Sequence, residues 1–499
     1  MIPQYLLLQT IGIPVLAAIF IFFTRYRMGR KAGWIAGGSL LYTTFLLCLA
    51  APGVYQGTKI YEEYLLIAPN IKLGLLADGL GLPVALITNL LCAVLAFFSI
   101  HYVEHRIEII YGDLDERRWL SYYARYFYLY LFFPVGFVGV SLAANIIAMY
   151  FFLELLTILL YFLMAYYGYI QRTRVALMCL VWGFFSAVFF LAGSLLTYSQ
   201  IGSFEITKLV SLAGNRWVIW IGTLFLIGLF CKLAIFPFHV WMPWVHAEHP
   251  TCIAGLLAVY ANIAAYIIVR LLIIPLKVDF QVFSIPLMAM ALITMIYGSL
   301  LTLAQYDIKR VAACSTISQI AYSILGLGAL TTTSVAGGMF FFLSHIMGKT
   351  LFFSTAGIVV YVTGIRDMRE MGGLARKMPL TAFLWIISAM TLSGFPPFSS
   401  FTAEWIMFTG IFERGLLNPT ILILAVAGVS AILLTIAYTF LAVKNVFFGP
   451  LKPHLMDDKI KDPPLTMSIP LLAVAGVSII LGMYPKIIMD LFQLVIGRG

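Results

Sequence analysis

Four ionisable side chains stand inside long apolar runs of this 499-residue sequence. Glu154 lies in Met149-Tyr-Phe-Phe-Leu-Glu-Leu-Leu-Thr157, and Lys232 in Phe230-Cys-Lys-Leu-Ala-Ile-Phe-Pro-Phe-His-Val-Trp241. Lys349 follows His345 in His345-Ile-Met-Gly-Lys349, and Glu404 follows Phe395-Pro-Pro-Phe-Ser-Ser-Phe-Thr-Ala. A charge near the centre of a bilayer costs a few kcal/mol or more, so groups placed there by default mark a route for ions or protons. The structural alternative is an ion pair that only fixes helix packing. Four charges on four separate spans argue against it, because apolar side chains would pack at lower cost.

Neighbouring residues extend the pattern. His345 and Lys349 are four apart, so an unbroken helix puts both on one face, and a histidine beside an intramembrane lysine suits a proton relay better than a packing role. Ser315, Ser318 and Gln319 could hold water or act as packing glue between helices. His239, His246, Glu248 and His249 follow Pro237; their types would allow zinc, but no HExxH or comparable spacing supports it. Pro237 and Pro396-Pro397 each remove an amide donor and free a carbonyl that lipid could not satisfy, so these helix breaks must face protein or water. Two proline-broken spans bearing ions suggest an internal repeat whose halves meet at an ion path.

The elements that position these groups follow from composition. A mean hydropathy of +1.00, with 62% hydrophobic and only 10% charged residues, identifies an all-α polytopic membrane protein and excludes a soluble class. About fourteen stretches are long enough to span, centred near Pro14, Thr43, Asn89, Gly136, Leu159, Phe185, Leu226, Ala264, Met295, Tyr322, Phe353, Met390, Val429 and Val474. The first begins at Met1-Ile2-Pro3 without a basic n-region or a cleavage site, and so predicts a retained helix. Lys59 to Leu76 alternates like a strand pair around Pro69-Asn70, predicting a small surface hairpin near 59–76. Loops holding Arg25, Arg27, Arg30, Lys31, Arg106, Arg117, Arg118, Lys309, Arg310, Arg366 and Arg369 fall on one side, which the positive-inside tendency makes cytoplasmic. Arg270 and Arg498 fall in the sparser outer loops, and both termini are expected outside, in the cell membrane of a bacterium or archaeon.

The net charge of +10 is therefore a topology signal, and nucleic acid is not an expected partner. Cys48, Cys92, Cys179, Cys231, Cys252 and Cys314 are scattered singly, which gives neither a metal site nor a cluster nor a disulfide framework by spacing. No glycine-rich turn leads from a strand into a helix, so no nucleotide or flavin site is expected. The chain is expected to carry no cofactor or metal of its own.

The run Lys232-Leu-Ala-Ile-Phe-Pro-Phe-His-Val-Trp-Met-Pro-Trp-Val-His-Ala-Glu-His-Pro-Thr251 closely resembles the seventh-helix signature of the antiporter-like subunits of respiratory complex I and of multisubunit Na+/H+ antiporters. Asp307 to Gln319, His345 to Phe353, Arg366 to Leu374 and Phe447-Phe-Gly-Pro450 extend the likeness over almost the whole chain. The resemblance implies two inverted five-helix repeats with broken helices, near residues 120–274 and 282–445. Residues 1–119 would hold three leading helices and the hairpin, and 446–499 a loop and the last helix. It matches Glu154 to the family's fifth-helix glutamate and Lys232 to its central lysine. Glu404 matches the twelfth-helix position, where subunit M and its relatives resemble this chain in having glutamate; Lys349 is closer to the L-type and antiporter members. Asn262 stands where a lysine or histidine is often found, so water would bridge that step.

What the resemblance implies in function is proton translocation along Glu154, Lys232, Asn262, His345, Lys349 and Glu404, with His239, Ser315 and Gln319 as further path residues. Electron transfer would occur in partner subunits carrying flavin, iron-sulfur clusters and a quinone or analogue. Expected partners are neighbouring antiporter-like subunits, a peripheral redox arm and membrane lipid. The alternative is a subunit of a Na+/H+ antiporter or of a membrane-bound hydrogenase.

Overall fold

A computed structural model describes residues 5–68 and 71–497. Met1 to Pro3, the Pro69-Asn70 turn and Arg498 lie outside the described residues. In chain order the helices are α1 (Leu6–Thr24), α2 (Lys31–Tyr55), α3 (Gly81–Tyr111), α4 (Glu116–Tyr130), α5 (Phe132–Leu142), α6 (Ile146–Tyr167) and α7 (Arg172–Ile201). Then come α8 (Val218–Leu233), α9 (Met242–Glu248), α10 (Thr251–Ile268), α11 (Ser284–Leu303), α12 (Ile308–Gly328) and α13 (Thr332–Thr363). The chain ends with α14 (Pro379–Leu392), α15 (Ser399–Gly415), α16 (Pro419–Phe447), α17 (Leu465–Met483) and α18 (Lys486–Ile496). Strands β1 (Ile60–Ala68) and β2 (Ile71–Ala77) pair antiparallel as the expected hairpin.

Every expected span centre falls in a helix. Twelve segments are long and apolar enough to cross a membrane, with α4 and α5 forming one of them, and the shorter apolar α8 and α14 supply the remaining crossings. Lipid cannot hydrogen-bond a backbone, so continuous helix is the spanning form. The apolar positions wrap all round most of these helices, since both lipid and protein neighbours are apolar. Burial sorts them: α10 and α12 are enclosed along their whole length and α13 from Ser334 to Val360, whereas α1, α2, α7, α16 and α17 leave most of their surface uncovered. Three enclosed helices therefore form the axis of the bundle.

Two stretches of chain share one local construction. Asn145 caps α6 through Ala148 N, and the chain just before α6 ladders with the chain after α7, Ile146 N to Phe204 O at 2.9 Å and Ile206 N to Ala144 O at 3.1 Å. Asp307 caps α12 through Lys309 N and Arg310 N, and the chain beside it ladders with the chain after α13, Ile308 N to Arg366 O and Met368 N to Tyr306 O, each 2.9 Å. A capping side chain satisfies amides that a helix start leaves bare. The two copies lie five crossings apart, an odd number, so the second is inverted in the membrane relative to the first.

Each copy contains a broken crossing. Helix α8 stops at Ala234, which takes the left-handed conformation (φ 53°), and α9 resumes at Met242. The groups freed there find partners: Phe236 N donates to Thr294 Oγ1 at 3.1 Å, and Trp241 Nε1 donates to Cys231 O at 2.9 Å. Helix α14 stops before Gly394 (φ 65°), Phe395 N returns to Met390 O at 3.0 Å, and Ser393 Oγ meets Thr439 Oγ1 at 2.7 Å. Protein groups thus satisfy the freed backbone polar atoms. Pro237, Pro396 and Pro397 themselves are exposed on the bundle's surface, so the expectation that the breaks face protein or water holds for their polar atoms and not for the prolines.

Candidate functional site

Lys232 sits in the last turn of α8, directly before the first break. Its Nζ lies 3.8 Å from Glu154 Oε1 on α6, with both side chains largely buried (3% and 12% exposed). Its hydrogen bonds go elsewhere, to Tyr260 Oη of α10 at 2.9 Å and Thr157 Oγ1 of α6 at 3.3 Å, and those hydroxyls meet each other at 2.9 Å. A cavity of about 10 Å³ lies beside Lys232, lined also by Cys179, Trp182 and Trp241, which is on the order of one water. The ammonium thus has a carboxylate at charge-contact distance and two hydroxyls that can accept or pass a proton.

The second group lies on the enclosed helices. Lys349 of α13 is fully buried; it donates to Ser315 Oγ and, at 3.2 Å, to Ala312 O of α12. It has no carboxylate partner among the described residues. His345 is one turn away on the same helix, its ring parallel to Phe341. His246 of α9 is fully buried, its ring against Trp241, which lines the cavity beside Lys232, and against Phe353, one turn along α13 from Lys349. Phe353, on which His246 packs, is four residues after Lys349 and His345 four residues before it, so all three line one face of α13. The structure therefore brings Lys349, His345 and His246 together.

From Ser315 one turn of α12 leads to Ser318 and Gln319. Gln319 Nε2 donates to Thr435 Oγ1 at 3.2 Å and Tyr438 Oη at 3.1 Å, both on α16, and Tyr322 Oη meets Thr435 Oγ1 at 3.1 Å. Thr439, next to Tyr438, meets Ser393 Oγ at 2.7 Å, beside Gly394 of the second break. Glu404 lies on α15, past the second break, 8% exposed, with no hydrogen-bond or ion-pair partner among the described residues. It forms part of the wall of an open, largely apolar pocket of about 1100 Å³ with Phe395, Trp405 and Phe408. Gly394 packs onto its carboxylate so closely that a Cβ there would lie 2.2 Å from Oε2.

Two expected path residues stand apart. His239 packs its ring on Phe236 and Tyr297, both exposed, at the bundle's flank. Asn262 is buried on α10, its Nδ2 donating to Ala258 O at 2.7 Å, two residues along from Tyr260 and so on a different face of that helix.

The expectation of four buried charges is too low. Arg106, Arg270 and Lys309, assigned to loops from the sequence, and Asp78, which the sequence reading does not single out, are also buried. Helices run past their apolar stretches here: α3 continues to Tyr111, and α10 continues in a π-turn over Val269–Ile273. Arg270 forks onto Asp78, Nη1 to Oδ2 at 2.6 Å and Nη2 to Oδ1 at 2.7 Å. At the other end of the bundle Lys309 Nζ donates to His249 O at 2.6 Å, and Arg366 ties Asp307 (2.8 Å) to Glu248 (3.4 Å). Tyr260 and Tyr438 are site members that sequence reasoning missed; His246 was weighed there only for zinc, although it lies inside the seventh-helix signature, five residues before its end.

Together the broken crossings, the inverted copies and the buried acid–base groups define a polytopic ion-translocation fold. The family model described as NADH:quinone oxidoreductase/Mrp antiporter, TM matches residues 143–435, and the chain belongs to that family. Subunit M of the NADH-quinone oxidoreductase of Rickettsia typhi is 26% identical over 506 residues, covering 97% of this chain and 96% of that one. One chain of the Na(+)/H(+) antiporter of Alkalihalophilus pseudofirmus is 27% identical over 512 residues, covering 95% of this chain and 60% of that longer one. Among solved structures, a chain of the Mrp complex from a Dietzia species superposes with a TM-score of 0.86 at 20% identity, covering 99% of this chain and 98% of that one. A chain of respiratory complex I from Thermus thermophilus gives 0.83 at 21%, covering 98% of each. These likenesses show the fold.

Proposed function

We propose that this chain is a proton-translocating membrane subunit of a respiratory dehydrogenase complex, and that protons move between Glu154–Lys232 and Glu404 through the enclosed helices. The observation that carries it is the buried Lys232, held against Glu154 and two hydroxyls at a helix break. Attraction at 3.8 Å is about 4 kcal/mol at an effective dielectric of about 20. When Glu154 gains a proton that attraction disappears, and Lys232 can pass its own proton through Tyr260 or Thr157. His246 then links the first half to Lys349 and His345, Ser315 and Gln319 lead on to Tyr438, and Glu404 delivers to the outer side. Glu154 Oε2, Gln319 Oε1 and the ring nitrogens of His246 and His345 are buried without protein partners. Buried polar atoms are nearly always hydrogen-bonded, which supports a hydrated seam along this line.

The energy would come from electron transfer in a peripheral arm carrying flavin and iron-sulfur clusters, with a quinone or analogue as acceptor, so the chain acts as part of a translocating oxidoreductase. Neighbouring antiporter-like subunits would flank it in the cell membrane, both termini outside. The likeness to a Na(+)/H(+) antiporter chain at nearly the same identity supports a second reading, a subunit of a Na+/H+ antiporter or of a membrane-bound hydrogenase. Co-purifying flavin and iron-sulfur dehydrogenase subunits favour the first; a hydrogenase module or redox-free partners favour the second. The test is Lys232→Ala and Glu154→Ala in the assembled complex: a lowered proton-to-electron ratio is expected, and a wild-type ratio in either refutes the scheme.

A further inference from the structure

A cleft of about 590 Å³ opens at the end of the bundle where α3, α13 and the chain between α6 and α7 meet. Three arginines, Arg106, Arg172 and Arg366, and His105 line it, and among the described residues no carboxylate does. Arg106 is 5% exposed and uses Nε and Nη2 on the carbonyls of Tyr167 (3.3 Å) and Gly168 (2.6 Å). Those bonds fix the guanidinium without neutralising it. Arg172 has no carboxylate partner among the described residues. Arg366 is paired with Asp307 and Glu248 on its far side, yet its Nε is buried without a partner.

The floor of the cleft concentrates the charge further. The Tyr169 ring lies under three cations, with Lys309 Nζ 3.6 Å, Arg106 Cζ 4.1 Å and Arg366 Cζ 5.4 Å from its centre. Among the described residues Asp307 and Glu248 pair only with Arg366, so Arg106 and Arg172 face the cleft without a carboxylate, and the planar guanidinium fork matches phosphate geometry. The rim is apolar: Ile170 is 90% and Ile109 59% exposed. Basic pockets between membrane helices, on the side where basic loops gather, suit phospholipid headgroups.

We propose that this cleft is a phosphate-binding site, the phosphate belonging to an anionic phospholipid headgroup or free in solution, with Arg106 and Arg172 as its ligands. The site is distinct from the Glu154–Glu404 line and does not depend on it. The test uses the assembled complex carrying Ile170→Cys in a Cys48→Ala background, labelled with an environment-sensitive fluorophore at the rim. Nanodiscs of phosphatidylglycerol against phosphatidylcholine probe the lipid source, and inorganic pyrophosphate probes the soluble one. A response to phosphatidylglycerol, or to pyrophosphate in phosphatidylcholine discs, is expected, weakened about tenfold for each charge-assisted hydrogen bond removed by Arg172→Gln or Arg106→Gln. Arg172→Gln is the decisive variant, because Arg106 also ties backbone carbonyls. No response to either probe, or an unchanged response in Arg172→Gln, overturns the proposal.

Discussion

Replacing Gly394 by alanine is expected to disable Glu404 without touching any charge. Gly394 has φ +65°, and its ideal Cβ would lie 2.2 Å from Glu404 Oε2, 2.9 Å from Cδ and 3.2 Å from Oε1. Ordinary contacts begin near 3.5 Å, so the carboxylate must retreat by about 1 Å. The left-handed conformation costs a non-glycine residue about 1–2 kcal/mol, and overpacking adds about 1–3 kcal/mol. A shift of about 1 Å in a positioned reacting group can cost on the order of a hundredfold in rate. Proton uptake by inverted vesicles, followed with a pH-sensitive dye and normalised to assembled complex, is therefore expected to fall by about that factor. Gly476→Ala, where a Cβ meets nothing within 4 Å, serves as the control and should pump normally. Glu404→Asp added to Gly394→Ala shortens the acid and should recover thermal stability but not pumping. Wild-type pumping by an assembled Gly394→Ala complex would refute the placement of Glu404 on the path.

His246→Ala should abolish pumping in the same vesicle assay while His239→Ala leaves it intact, because only His246 lies among the lysines; equal effects would place the connection elsewhere. Asp78→Ala strands the buried Arg270 and should lower stability by about 3–5 kcal/mol, read as the thermal midpoint of the solubilised complex; a shift equal to that of an exposed substitution would contradict the fork. Burial alone would raise the Asp78 carboxyl, but Arg270 and the amides of Gly81 and Leu80 hold it below the usual carboxylate range. The stability it contributes is then fully present above about pH 4 and lost only as pH falls through the lower folded value, so a wild-type midpoint that falls with pH more steeply than that of Asp78→Ala is expected below pH 4.

Much of this arrangement was legible in the sequence, since lipid as solvent simplifies the grammar. The fourteen span centres follow from apolar length alone, and Pro237 and Pro396 mark the breaks because a missing amide cannot be hidden in hydrocarbon. Glu154, Lys232, Lys349 and Glu404 stand out because each interrupts an apolar run. What stayed hidden lies at helix ends. Arg270, Asp78 and Lys309 look like loop charges until α10 and α12 are seen to be wholly enclosed, so that their termini are covered by protein. His246 hid behind a zinc pattern it does not complete; Glu248 beside it turns to Arg366 and to Gln171 N. Tyr260 and Tyr438 are aromatic in an aromatic-rich chain, and only contact with Lys232 and Gln319 distinguishes them. Asn262 shows the opposite failure, a position singled out by resemblance whose side chain folds back onto its own helix.

The decisive measurement is the proton-to-electron ratio of the assembled complex carrying Lys349→Met, the substitution that removes the buried amine of α13 while keeping side-chain volume. The proposed path predicts a ratio below wild type with redox turnover of the partner subunits still measurable. An unchanged ratio would contradict passage of protons from Lys232 to Glu404 through α13.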